Sequence, residues 1–187
     1  NTILVSVAYV DSELGIRQDI DTIGKIVKKY PKCYFHVDAT QAIGKIKVAP
    51  TNIDFISMSA HKIFGLKGIG LLIKKDNIVI DNLIHGGKST TIYRSGTPAL
   101  PLICSLMKAL ELVIPNIDKN YEYVSSLSNK IKDNLKKYGS IHINSTENSI
   151  PYIINFSVIG LKPETFIHTM EEEDIYLSTK SACSTSD

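Results

Sequence analysis

The chain has 187 residues, 43% of them hydrophobic, and its 21 Lys and Arg nearly balance 19 Asp and Glu to leave a formal net charge of +2. That length can bury a substantial core as one large or two small domains, and scattered lysines without a basic patch give no basis for direct nucleic-acid binding. No apolar run reads as the roughly 20 residues of a bilayer span and no signal peptide opens the chain, so no membrane partner is expected. The three cysteines, Cys33, Cys104 and Cys183, are odd in number and far apart. They argue against a disulfide framework and for a reducing, cytoplasmic setting, and no Cys/His spacing suggests a metal site. The chain opens inside an apolar run, Thr2–Ala8, and stops just after Cys183. The expectation is a piece of a longer protein.

In chain order, Ile3–Ala8 reads as a short, β-branched, buried strand followed by a polar loop, Tyr9–Gly15. Asp19–Tyr30 reads as an amphipathic helix with Asp19 or Asp21 as N-cap, an apolar stripe of Ile20, Ile23, Ile26 and Val27, and Pro31 as its stop. Cys33–Val37 is a second buried strand ending at Asp38, and Ala39–Ile43 begins a helical turn. Asp54–Ser59 and Ile69–Ile73 are further strands. A long loop then runs from His85-Gly86-Gly87 to Thr97-Pro98, and helices are expected over Pro98–Ile114 and Asp118–Tyr138, with Pro115-Asn116 breaking the pattern between them. Strands at Ile141–Ile143 and Tyr152–Val158, a helix from Pro163 to about Glu172 and a strand at Ile175–Leu177 complete the chain. Cys33, in a strand, and Cys104, on an apolar helix face, read as core residues.

Strand, helix, strand with polar residues at strand C-termini is the pattern of an α/β fold with a mostly parallel sheet. The expected organisation is residues 1–115 in a large domain and 116–187 in a small α+β domain. In such sheets ligands bind beyond the carboxyl ends of the strands. Ser12, Asp38, Gln41, Ser59, His61 and Lys62 fall there on this reading. The stretch Ser57–Gly70 places Lys62 against a small-residue, glycine-punctuated turn. Two readings of that window stand side by side: a surface lysine, or a desolvated amine able to condense with a carbonyl. Asp38 reads as a cap for the turn after it, or as the anion that keeps a pyridinium protonated. Gln41 could donate to a ring oxygen, and the Ser59 hydroxyl with nearby backbone N–H groups could hold a phosphate. Together these residues point to pyridoxal phosphate.

Five segments carry a resemblance: His36-Val-Asp-Ala-Thr-Gln41, Ser59-Ala-His-Lys-Ile-Phe-Gly-Leu-Lys-Gly-Ile-Gly70, His85-Gly-Gly87, Arg94-Ser-Gly-Thr97 and Ser181-Ala-Cys-Ser184. In order and spacing they resemble the cysteine desulfurases of the NifS/IscS group, in the class V aminotransferase superfamily. The resemblance implies a central-to-C-terminal portion of a pyridoxal-phosphate enzyme with the fold-type I large domain and part of its small domain. It implies that Lys62 carries the cofactor, Asp38 pairs with the ring nitrogen, Gln41 meets the ring oxygen, and Ser59 and His61 bind the phosphate. His61 is also placed among the catalytic residues. Ser12 and Arg94 fall at cofactor- or substrate-binding positions, and Thr97 reaches the phosphate of a neighbouring subunit in a homodimer with shared sites. Cys183 is the nucleophile that takes sulfur from L-cysteine, leaving L-alanine. The sulfur would go to an acceptor scaffold for iron–sulfur cluster or thio-cofactor assembly. Nucleic acid enters only indirectly, as tRNA thiolated downstream.

The chain departs from the family pattern at three places. Asp11-Ser12-Glu13 replaces an Asn-Asn-Glu run, Lys88–Ile92 replaces a Gly-x-Glu-Arg type stretch, and Lys180 stands where glycine is common. The family's ring-stacking histidine lies upstream of residue 1 and its carboxylate-gripping arginine downstream of Asp187, so the chain alone is expected to turn over substrate poorly. A selenocysteine lyase-like or other class V enzyme, and a catalytically weak scaffold paralogue, stay open as alternatives.

Overall fold

The computed structural model describes residues 1–49, 51–87 and 91–179. Two compact units emerge. One comprises Asn1–Tyr9 and Asp19–Asp118, the other Val10–Gln18 and Lys119–Asp187.

The first unit is built on a four-stranded sheet in the order β1 (Leu4–Ala8), β2 (Tyr34–Asp38), β3 (Phe55–Ser59) and β4 (Gly70–Lys74). β1, β2 and β3 run parallel, with Val7 opposite Val37 and Val37 opposite Ile56, while β4 returns antiparallel to β3 with Leu71 opposite Met58. The α/β, mostly parallel fold expected from the sequence is the one observed. Side chains alternate across a strand, so Phe35, Val37, Ile56 and Met58 share one face and are buried there. Helix α1 (Ile20–Val27) packs on β2. Its N-cap is Asp19, whose side chain accepts from Thr22 N at 3.0 Å, a bond that satisfies one of the first-turn donors. Helix α2 (Leu100–Val113) presents Leu106, Ala109 and Val113 to Met58, Ala60 and Ile63. Each of the larger ones, Leu106, Val113, Met58 and Ile63, contributes roughly 1.5–3 kcal/mol by its burial.

The opposite face of the sheet holds Leu4, Tyr34 and Leu72, which are 49%, 44% and 52% exposed. β1 is therefore not the buried strand its composition suggested: alternation gives it one open face. A hydrogen-bonded row crosses that face, from Ser6 Oγ to His36 Nδ1 at 2.7 Å and from His36 Nε2 to Ser57 Oγ at 2.9 Å.

Pro115 lies in a short 3-10 turn, Ile114–Asn116, and α3 (Ile117–Leu135) follows directly. Pro115 thus narrows the helix for one turn instead of ending it, because a proline at the start of a turn costs no intrahelical N–H. As a consequence Leu100–Leu135 is one helical stretch whose best 18-residue window has a mean hydropathy of 1.6, long and apolar enough for a span by composition. The expectation that no stretch reaches that threshold is corrected. Leu106, Ala109 and Val113 on this stretch are core residues of the first unit. Cys104, expected in the core, is exposed on α2, and Cys33 is half-buried just before β2.

In the second unit β5 (Ile141–Ile143) pairs antiparallel with β6 (Phe156–Val158). The loop after β1 folds back on itself through a Val10–Arg17 bridge and joins Ser149 through Ile16. Ile150 is nearly fully buried, and its N–H donates to the Gly15 carbonyl at 2.9 Å. Helix α4 (Pro163–Glu171) sets Phe166 edge-on to Phe156. Of the expected Tyr152–Val158 strand, Phe156–Val158 forms β6, and the Asn155 carbonyl just before it accepts from Asn144 N at 2.9 Å. Ile175–Leu177 is not a strand: after α4 the chain turns at Asp174, with a positive φ of 57°, and continues without a strand partner among the described residues.

Candidate functional site

β2 and β3 are adjacent parallel strands, so their carboxyl ends open side by side. Asp38 closes β2, and its backbone pairs with Ser57, two residues before Ser59 closes β3. Asp38 and Ser59 lie on the same face by strand alternation. The Asp38 Oδ1 accepts from Thr40 N at 2.9 Å. This is the local cap foreseen for a carboxylate at this point, and it uses one oxygen. The Oδ2 has no hydrogen bond among the described residues. The two readings of Asp38 are therefore compatible: one oxygen fixes the turn, the other is available to a ligand.

The chain then coils through Ala39–Ile46, held by Ile43 N to Ala39 O at 2.8 Å and Ile46 N to Ala42 O at 2.9 Å. Gln41 sits in this coil, half-buried. Its Oε1 accepts from Lys45 Nζ at 2.8 Å, one turn further on. Lys45 was not singled out in the sequence. Its spacing of four from Gln41 on a helical turn was the available signal. Burial, and then the nearby Lys62 charge, lower its pKa from the ordinary 10.5 to about 8.

After β3 the chain enters a 3-10 turn, Ala60–Ile63, that carries His61, exposed, and Lys62, half-buried. The buried Ala60 and Ile63 anchor the turn in the α2 core, so Lys62 rides on a rigid support. The turn ends at Phe64 in the left-handed region, φ 69°, with its ring 94% exposed. Gly65 must follow: a Cβ there would sit 2.8 Å from the Ala60 Cβ. Gly70 is equally constrained, with a Cβ 2.6 Å from the Met58 carbonyl oxygen. The loop is closed by Ala60 N donating to Ile69 O at 3.1 Å. The glycines of this stretch thus serve close backbone approach beneath Lys62.

The structure gathers Asp38, Gln41, Ser59, His61 and Lys62 at one end of the first unit. Arg94 and Thr97 lie in a separate exposed loop. There Ile84 pairs with Arg94, Ser95 N donates to Ile84 O, and Ser95 Oγ donates to Gly87 O, so the two loop motifs hold each other. No hydrogen bond or ion pair among the described residues joins Arg94 or Thr97 to the Asp38–Lys62 group. Ser12 belongs to the second unit, exposed in a turn whose Asp11 carboxylate accepts from Glu13 N at 3.0 Å and Leu14 N at 2.6 Å. Cys183, Lys180 and residues 88–90 lie outside the described residues.

Residues 1–186 match the class V aminotransferase family. The chain belongs to that family. It is 38% identical over 188 residues to a Clostridium botulinum cysteine desulfurase IscS, covering 97% of this chain and 47% of that protein. It is 37% identical over 188 residues to a NifS/IcsS protein homolog of Lactobacillus delbrueckii subsp. bulgaricus, covering 98% of this chain and 49% of the relative. A solved NifS-like protein superposes with a TM-score of 0.90 at 32% identity, over 96% of this chain and 50% of that structure. The chain thus spans about half the length of the relatives it matches.

Proposed function

We propose that this chain acts in a pyridoxal-phosphate-dependent cysteine desulfurase that converts L-cysteine to L-alanine and receives the sulfur as a persulfide on Cys183. The observation that carries the reading is the convergence of Asp38, Gln41, Ser59 and Lys62 beyond the carboxyl ends of β2 and β3 in a class V aminotransferase fold.

The residues present fit the cofactor. The free oxygen of Asp38 suits a protonated ring nitrogen, and the Gln41 amide, its oxygen already engaged by Lys45, has N–H groups to offer a ring oxygen. Lys45 and Lys62 make the neighbourhood cationic, as a phosphate- and phenolate-bearing group requires, and the Ser59 hydroxyl with His61 would complete the phosphate seat. When bound, pyridoxal phosphate supplies an electron sink at the amino-acid carbon. The protein holds that sink protonated through Asp38, fixes its position through Lys62, and brings a thiol to the substrate sulfur through Cys183. The atoms balance without an oxidant: the substrate C–S bond gives way to C–H, and the Cys183 S–H gives way to S–S–H.

As further parts of the same reading, the enzyme works as a cytoplasmic homodimer with Thr97 reaching the partner's site. Arg94 and Ser12 serve substrate binding, and the sulfur passes to an acceptor protein for iron–sulfur cluster or thio-cofactor assembly. The odd, widely spaced cysteines support the cytoplasmic setting, and the motif resemblance supports the other parts.

The test has two steps. Pyridoxal phosphate is added, fixed with borohydride and located by peptide mass. Attachment at Lys62, lost in Lys62→Ala, is the expected result, and absence of attachment would end the cofactor reading. L-cysteine is then added to the cofactor-loaded protein and persulfide is labelled. Label on Cys183 is expected; cofactor without label would favour another class V substrate, such as selenocysteine, or a scaffold role.

A further inference from the structure

We propose that Lys45 is a positioning residue of this site: it grips the carbonyl oxygen of Gln41 and so turns the Gln41 amide nitrogen outward as the donor to the cofactor. The inference rests on the pyridoxal-phosphate reading above.

An ammonium has only donors, and a glutamine amide has a donor end and an acceptor end. Lys45 Nζ lies 2.8 Å from Gln41 Oε1. With the amide flipped, two donors would face each other at that distance, so Lys45 itself decides the amide orientation. The backbone of Ala39–Ile46 holds the two residues in this relation through Ala42 N to Ala39 O and Lys45 N to Ala42 O. Both side chains are half-buried, which restricts their alternatives.

The consequence is chemical. The oxygen that pyridoxal phosphate presents beside its reactive carbon is an acceptor and tends to be anionic. An outward Gln41 N–H₂ suits it, and an outward Gln41 carbonyl repels it. Without Lys45 the amide is free to offer either end, and part of its population opposes binding. Lys45 need not touch the cofactor to have this effect. Its charge beside Lys62 also favours the anionic group.

Two measurements test the proposal. The first needs no cofactor: the ¹⁵N-labelled side-chain amide signals of Gln41 are compared in wild type, Lys45→Arg and Lys45→Met. The Gln41 signals are expected to move in Lys45→Met more than any other side-chain amide and to stay close to wild type in Lys45→Arg. Unmoved signals would overturn the proposal whatever the cofactor does. The second is a double-mutant cycle on pyridoxal phosphate affinity, read by absorbance titration. Lys45→Met is expected to weaken binding roughly tenfold, in the range seen when groups that orient a ligand's partner are removed. In a Gln41→Ala background the same substitution is expected to add less than about twofold, because the group it orients is gone. Equal losses in both backgrounds would show a role independent of Gln41 and overturn the proposal. If the Gln41 signals respond but the wild-type chain takes up no pyridoxal phosphate, the cofactor reading fails, the positioning role falls with it, and the Lys45–Gln41 contact stands as a structural one.

Discussion

At the scale of single residues, Lys45 carries a pH dependence whose sign follows from its environment. Its pKa in the folded chain is about 8, against 10.5 ordinarily, through burial first and the Lys62 charge second. Between those values the unfolded chain keeps a proton that the folded chain has released. Stability from this group therefore rises as pH climbs from about 8 toward 10.5 and is lost as pH falls through about 8. Urea unfolding of wild type and Lys45→Met on either side of pH 8 checks this: the wild type gains stability across the window relative to the variant. Lys62→Met, by removing one of the two causes, is expected to raise the Lys45 pKa, read by side-chain NMR titration. A different residue-level effect is expected at Tyr152. Its hydroxyl is buried without a hydrogen-bond partner among the described residues, and burial, then Tyr121, raises its pKa. An unsatisfied buried hydroxyl costs free energy, so Tyr152→Phe is expected to stabilise the chain by about 1 kcal/mol in the same unfolding assay.

At the scale of elements, the β3–turn–β4 unit is the structural basis of the site. Gly70 lies where β4 pairs with Ser59, and a Cβ there would collide with the Met58 carbonyl. Backbone has to move to admit it, and overpacking of this kind costs about 1–3 kcal/mol. Gly70→Ala is therefore expected to lower stability by that amount and to reduce cofactor fixation at Lys62 as the turn shifts. Asp19→Ala, which removes the α1 cap bond to Thr22 N, is expected to cost about 1 kcal/mol. Both are read by urea unfolding, and Gly70→Ala also by borohydride trapping. Much of this level was legible in the sequence. The Asp19 cap, the α1 stripe, β2, β3 and the helix from Pro163 follow from local chemistry. The misses have local reasons too. Ile175–Leu177 has strand-like composition but no strand to pair with among the described residues, and Pro115 sits where a helical turn tolerates it.

At the scale of the whole molecule, the first unit covers one sheet face with α1 and α2 and leaves Leu4, Tyr34 and Leu72 exposed on the other. Sheets with parallel strands usually bury both faces. The chain is accordingly expected to bind a hydrophobic dye strongly, with the signal reduced in Leu72→Ser and in Tyr34→Ser; an unchanged signal would place the apolar surface elsewhere. The sequence alone determined the order of elements, the family, and which residue types meet at the strand ends, because these depend on short-range periodicity and on motifs read along the chain. Tertiary structure decided what depends on pairing. It set which face of β1 is half-buried and placed Cys104 outside the core. It joined Ile84 to Arg94 and grouped Val10–Gln18 with the C-terminal unit. Above all it set Lys45 on the Gln41 amide oxygen and within reach of the Lys62 charge. A lysine's charge and burial depend on what surrounds it in space, and that neighbourhood is drawn from segments the chain visits at different times.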